Sequence, residues 1–172
     1  MSARTPIVRR SVRAVLLDDH DRLVLLKRTR PGRPVYWTTA GGGVEPGDAD
    51  REATVVREIL EELGATAVIG EQVFLTSERR EGGVAVAHFR LARLLALDPE
   101  ARTGAEYGDP TRGRFETDVV ALAEVHSIDL RPVELRDFLV ANADLLLTEA
   151  DLLSAGGGRS PGAGSGSGSP AT

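Results

Sequence analysis

Glu58, Glu61 and Glu62 stand directly behind Arg57 in the run 41–65, GGGVEPGDADREATVVREILEELGA. At about 100° per residue, positions i, i+3 and i+4 share one helix face, so this spacing stacks three carboxylates on one side. Val55, Val56, Ile59, Leu60 and Leu63 are expected to fill the other side. Two carboxylates ~4 Å apart repel by about 1 kcal/mol in water and by roughly 4 kcal/mol at an effective dielectric of 20. A divalent cation reverses that sign, and hard oxygen donors suit Mg²⁺ or Mn²⁺, which take one or two carboxylates plus substrate phosphates. The competing reading is a solvated acidic face tied down by Arg57 to Glu61 at i,i+4. The glycines shift the balance, because Gly41, Gly42, Gly43 and Gly47 precede the helix and let the backbone come close to a ligand or metal.

This run resembles the Nudix hydrolase box, G-x5-E-x7-R-E-U-x-E-E-x-G-U with U aliphatic. Gly42 fits the opening glycine, and Arg57, Glu58, Ile59, Glu61, Glu62 and Gly64 fit the second half position by position. Two departures lie between them. The first glutamate is Asp48 here, and eight residues rather than seven separate it from Arg57; Ala65 is also small for the last aliphatic position. Counting back from Arg57 makes Asp50 the helix N-cap, with Arg51 and Glu52 in the first turn, and makes Ala49 the inserted residue. The shorter side chain of Asp48 then has to reach Arg57 in place of a glutamate.

The resemblance implies an α/β (α+β) fold of the α/β/α sandwich type, a mixed sheet between helices, and hydrolysis of the pyrophosphate bond in a nucleoside diphosphate linked to another moiety. It implies Mg²⁺ or Mn²⁺ held by Glu58, Glu61 and Glu62 with the carbonyl of Gly42, and Arg57 orienting the carboxylates. Glu58, Glu61 and Arg57 are the catalytic candidates, with Glu58 as general base unless a loop acid such as Glu106 or Glu116 takes that role. Arg28 and Arg33 are within reach of a diphosphate, Gly43 offers backbone, and Tyr36 or Trp37 could stack a base, although core packing is the commoner fate of a tryptophan. His88 and Arg90 share a strand face near this pocket; His20, His88 and His126 form no metal-spaced pair and are read as structural. The positions that separate Nudix subfamilies hold Arg80, Glu81, Gly82 and Gly83, with neither the proline nor the tyrosine that mark two of them, and Ala40 replaces a proline common before the glycines. A non-catalytic nucleotide-binding or sensor domain is the alternative, one in which the box glutamates are often lost.

Composition narrows the partners. A net charge of −5 and a pI near 5.3 leave no Lys/Arg stripe for a nucleic-acid polymer. With no cysteine there is no disulfide framework and no thiolate site. No apolar run approaches the ~20 residues of a membrane span. The expectation is therefore a cytoplasmic protein acting on a small-molecule nucleotide, away from membranes, with a homodimer left open.

Around the box, 13–17 (RAVLL) and 22–27 (RLVLLK) flank DDHD as a hairpin, and 29–34 (TRPGRP) reads as a loop leading through Tyr36 and Trp37 to the triple-glycine turn. A helix is predicted over 51–63, closed by Gly64, followed by strands at 72–78 and 84–95, a polar loop at 98–114 and a strand at 115–122. Pro132 is expected at the first position of a second helix with Leu135, Phe138, Leu139, Leu145 and Leu146 as its buried stripe. The domain is expected over 1–153, with 154–172, SAGGGRSPGAGSGSGSPAT, as a disordered tail. That tail has no apolar surface to offset an ordering entropy of about 1–2 kcal/mol per residue. Removing residues 156–172 should leave Tm and turnover unchanged; a large loss of either, measured by thermal melting and steady-state assay, would show that the tail docks.

Overall fold

The computed structural model describes residues 4–103 and 113–156. Strands β1 (Ile7–Leu17) and β2 (Arg22–Thr29) form the predicted hairpin, paired at Leu17 and Leu23. Its turn is built on Asp18, whose carboxylate accepts from the N–H groups of His20 and Arg22 at 3.0 and 2.9 Å and from Arg22 Nε at 2.8 Å. Burial pushes the Asp18 carboxyl up, but these donors outweigh it and hold it below the usual range.

Away from the turn the two strands part company. β1 pairs antiparallel with β4 (Gly41–Gly43) and parallel with β6 (Gly83–Leu97), which carries β5 (Ala65–Arg80) on its far edge. β2 pairs instead with β3 (Tyr36–Thr38) and β7 (Arg114–Ala121), and β8 (Leu130–Arg131) adds to β3 in parallel. The result is a curled mixed sheet of eight strands.

Period-two alternation along β1 sends Val12, Ala14 and Leu16 into one core and Val15 and Leu17 into another. The first core packs against α1 (Arg51–Leu63) through Val55, Ile59 and Leu63. The second lies under α2 (Val133–Ala141) and α3 (Ala143–Gly156) through Leu135, Leu139, Leu146 and Ala150. Each such leucine or isoleucine, buried to within a few per cent, contributes about 1.5–3 kcal/mol. The sheet therefore sits between helices, as the resemblance implied.

Helix α1 begins and ends where the residue chemistry says it should. Asp50 Oδ1 accepts from Ala53 N–H at 2.8 Å, and Gly64 closes the helix at φ 65° with its N–H on the Leu60 carbonyl at 2.9 Å. A side chain at Gly64 would also collide with the Asp98 carbonyl, 1.8 Å from its Cβ position. The packing stripe is narrower than predicted: Val55, Ile59 and Leu63 are buried, whereas Val56 and Leu60 are 45% and 44% exposed.

Other elements differ more. The triple glycine is a short strand on β1 and no turn; Gly41 sits at φ 142° with the Val12 carbonyl only 2.3 Å from where a Cβ would be. β5 starts at Ala65, well before the predicted 72, because register shifts around Ile69–Phe74 break the alternation that marks a strand. Leu122 opens a 3₁₀ turn, Leu122–Ser127, in place of ending β7. The last helical segment is two helices broken at Asn142, whose N–H and side-chain amide both bond the Phe138 carbonyl; Pro132 caps the first. That break resets the phase, so Leu145 is 59% exposed while Leu146 and Ala150 are buried. α3 runs to Gly156, three residues into the stretch expected as tail, and the remainder of the tail lies outside the described residues.

His88 on β6 is 5% exposed, with Nδ1 on Gln72 Oε1 at 2.7 Å and Nε2 facing Arg10 Nη1 at 3.4 Å; Arg51 Nη1 lies 3.4 Å from Nδ1. A neutral ring protonated on Nδ1 satisfies both β5 and β1. Burial first, then the positive charges of Arg51 and Arg10, depress its pKa below 6.5. The unfolded chain then binds more protons near and below pH 6.5, so His88 costs stability as pH falls through that value. Urea melts at pH 7.5 and 5.5 should show a smaller loss for His88→Gln than for the wild type; equal losses would contradict the neutral buried ring.

Candidate active site

The box carboxylates are organised by one guanidinium. Arg57 Nε and Nη2 grip Asp48 Oδ1 and Oδ2, each at 3.0 Å, in the two-pronged geometry that arginine makes with a carboxylate. Its Nη1 reaches Glu58 Oε1 at 2.9 Å and Glu61 Oε2 at 3.3 Å, and Nη2 also donates to the Gly43 carbonyl at 3.1 Å. Asp48 therefore does stand in for the longer glutamate, despite the extra residue Ala49. Arg57 hydrogen bonds, then the Glu45 N–H, hold the Asp48 carboxyl far below the usual range, and Asp48 in turn raises Arg57.

Besides the Arg57–Gly43 bond, two further contacts bind this helix face to the glycine strand. Glu62 Oε2 accepts from Gly41 N–H at 2.7 Å. Glu58 lies so close to Gly42 that a Cβ there would be 2.3 Å from Oε1, so no side chain fits between strand and carboxylate. The Glu58 side chain is 13% exposed against 39% for Glu61, and burial pushes its carboxyl up, with Arg57 opposing. The carboxylates of this helix face and the carbonyls of the glycine strand are oxygen donors, the type that suits a hard divalent cation over a soft metal; among the described residues, the group of three whose ligand atoms already converge within 4.8 Å of one another is Asp18, Asp19 and His20.

A cleft of about 650 Å³ adjoins the glycine strand. Ser11 and Arg13 line it and are the register partners of Gly43 and Gly41; they alternate with Val12, which packs toward α1, so the cleft opens on the opposite face of β1 and its lining includes none of Gly41, Gly42, Gly43, Arg57, Glu58, Glu61 or Glu62. Arg13 Nη1 also donates to the Thr39 carbonyl at 2.7 Å, fixing the backbone just ahead of the glycines. Arg9, Arg80 and Arg131 add positive charge to the lining, with Glu78 and Glu134 the acids among them. The Arg131 guanidinium lies 4.4 Å from the centre of the Tyr36 ring and is anchored by Asp129 at 2.7 Å.

The structure distributes the remaining sequence candidates unevenly. Arg28 stacks 4.4 Å over Phe115 and donates to the Tyr36 hydroxyl at 3.0 Å; Arg33 lies exposed in the loop before β3. Trp37 packs against the larger core and donates its indole N–H to Asp118 at 2.8 Å, while Tyr36 and Phe89 line the cleft. His88 and Arg90 face α1, with Arg90 on the Gly70 carbonyl and Glu52. Glu116 pairs across strands with Lys27 and bonds Arg114 at 3.2 Å; Glu106 lies outside the described residues. At the β1–β2 turn Asp18, Asp19 and His20 come within 4.8 Å of one another, but Asp18 is already committed to Arg22 and to two backbone N–H groups. Sequence reading passed over Arg9, Arg13 and Arg131, since only the divergence of β1 from β2 and the return of β8 bring them to one cleft.

Similarity to known proteins covers both the sequence and the fold. In sequence, 76 residues are 35% identical to a CTP pyrophosphohydrolase of Escherichia coli K12, covering 44% of this chain and 54% of the relative. The chain thus matches about half the length of that curated relative. In fold, it superposes on a NUDIX hydrolase from Nitrosomonas europaea with a TM-score of 0.61 at 17% identity, covering 79% of this chain and 89% of the other. The MutT protein from Methanosarcina mazei Go1 follows with a TM-score of 0.57 at 20% identity, over 92% and 100% of the two chains. The NUDIX domain family matches residues 8–134, a span that runs from the second residue of β1 through β8 and holds the glycine cradle and the whole box, and the chain belongs to that family.

Proposed function

We propose that this chain is a Mg²⁺- or Mn²⁺-dependent pyrophosphohydrolase that cleaves the pyrophosphate bond of a nucleoside diphosphate derivative. The observation that carries the proposal is the fit of Glu58 into the Gly42 cradle, where Arg57 ties it to Glu61. A structural acidic face has no need of that contact. In this reading Glu58, Glu61 and Glu62, with backbone oxygen of the glycine strand, hold the cation. A cation held there supplies charge neutralisation to phosphate oxygens and acidifies water.

The chain's own groups supply the rest. Arg57 keeps Glu58 and Glu61 at fixed positions, so little rearrangement is needed when substrate arrives. Glu58, whose carboxyl burial pushes up, is the group to accept the proton of the attacking water. The cleft lined by Arg9, Arg13, Arg131 and Tyr36 offers positive charge and hydrogen-bond donors to the part of the nucleotide that extends away from the carboxylates. The relative named for CTP places nucleoside triphosphates, CTP among them, first on the substrate panel. Retention of all three glutamates in this tied-down arrangement weighs against a sensor without turnover.

Release of nucleotide products, and of phosphate or pyrophosphate from the triphosphates, should be measured on CTP, other (deoxy)nucleoside triphosphates, ADP-ribose, NADH, dinucleoside polyphosphates and coenzyme A with Mg²⁺ or Mn²⁺. The expected result is turnover of at least one compound, abolished by EDTA, with kcat lowered about a hundredfold or more in Glu58→Gln and KM little changed. Tight nucleotide binding without release from any of them would contradict the proposal and favour a sensor.

A further inference from the structure

Thr54 lies on α1 three residues before Arg57 and is fully buried, at 0% exposure. A threonine inside a helix ordinarily turns its hydroxyl back onto the carbonyl four residues earlier. Here that carbonyl belongs to Asp50 and lies 3.2 Å away, whereas Asp48 Oδ2 lies at 2.9 Å. The hydroxyl has one proton to give, and the shorter, charge-assisted contact takes it.

Asp48 Oδ2 consequently meets three donors: the Glu45 N–H at 2.9 Å, the Thr54 hydroxyl at 2.9 Å and Arg57 Nη2 at 3.0 Å. Oδ1 is left for Arg57 Nε. An aspartate reaches one methylene less far than a glutamate, and the loop holding it contains one residue more. Something has to fix where its carboxylate stands, and only the hydroxyl of Thr54 does so from α1 apart from Arg57 itself, among the described residues.

We infer that Thr54 is a positioning residue, whose hydroxyl fixes Asp48 so that this shorter acid can hold Arg57 and, through Arg57, the carboxylates of Glu58 and Glu61. The chain runs from Thr54 Oγ1 to Asp48 Oδ2, through the guanidinium, to Glu58 Oε1 at 2.9 Å and Glu61 Oε2 at 3.3 Å. Without the hydroxyl, Oδ2 keeps the loop N–H and Arg57, but the carboxylate is free to swing with the loop. The consequence for turnover rests on the pyrophosphohydrolase reading; the consequence for Arg57 does not.

The test uses the full chain with Thr54→Val, which keeps shape and loses the donor, Thr54→Ser, which keeps the donor, and Thr54→Ala as a second donor-free variant. The first readout is the ¹H–¹⁵N signal of the Arg57 Nε–H group, expected to be slowly exchanging in the wild type and in Thr54→Ser, and to broaden or vanish in Thr54→Val and Thr54→Ala. The second is steady-state kinetics, where the donor-free variants should lose about tenfold in kcat at nearly unchanged KM, with Thr54→Ser close to wild type. Adding Thr54→Val to Asp48→Ala should cost nothing further. An unchanged Arg57 signal in both donor-free variants, or an equal kcat loss from Thr54→Val with and without Asp48, would overturn the inference. If the wild type turns over nothing on the panel, the pyrophosphohydrolase reading fails while the Arg57 signal still decides the role of Thr54.

Discussion

The structure depends on a single cation placed among acids. Arg57 lies within ion-pairing distance of Asp48, Glu58 and Glu61, and 3.6 Å from Glu45. Neighbouring carboxylates repel, by about 1 kcal/mol per pair at ~4 Å in water and more where water is excluded, and the guanidinium offsets that repulsion among Asp48, Glu58 and Glu61. A mobile counterion could lower that repulsion, but it would not set directions. The planar guanidinium does, because each nitrogen meets a particular oxygen and one also meets the Gly43 carbonyl. Helix, loop and glycine strand are thereby fixed against one another through one side chain.

The sheet splits beside that assembly. On the N-terminal side of Leu17, β1 parts from β2 and takes β4 in its place, which pairs the glycines with Ser11, Val12 and Arg13 and leaves a cleft lined by Arg13 and Tyr36. Close approach is possible only because the strand lacks side chains: at Gly41 a Cβ would strike β1, and at Gly42 it would strike Glu58. The two glycines thus face opposite neighbours, one a backbone and the other a carboxylate. The same strand that completes the sheet serves as one wall of the oxygen cluster.

Much of this was legible in the residues, and the limits of legibility have physical causes. Helix α1 and both its caps could be read because Asp50, Gly64 and the period of Val55, Ile59 and Leu63 are local signals that tertiary contacts reinforce. The three-carboxylate face followed from the same periodicity. The triple glycine misled as a turn because glycine signals backbone freedom without saying what uses it; here β1 pairing uses it. Trp37 and Tyr36 are adjacent, and nothing local says that the indole turns to Asp118 while the phenol ring meets Arg131. Arg9, Arg13 and Arg131 come from distant stretches that only the strand order unites, and Leu145 lost its predicted burial to a helix break whose carbonyl partner, Phe138, is shared by two groups of Asn142.

The central claim is that the acidic face of α1 is a cation site and no mere solvated surface, and thermal melting with and without Mn²⁺ separates the two most directly. Binding raises stability by RT ln(1 + [L]/Kd), about 2.7 kcal/mol at a hundredfold excess over Kd. The wild type should melt higher with Mn²⁺, and Glu62→Gln should lose most of that gain while its metal-free stability changes only by a few tenths of a kcal/mol. Equal Mn²⁺ shifts in wild type and Glu62→Gln would contradict the account.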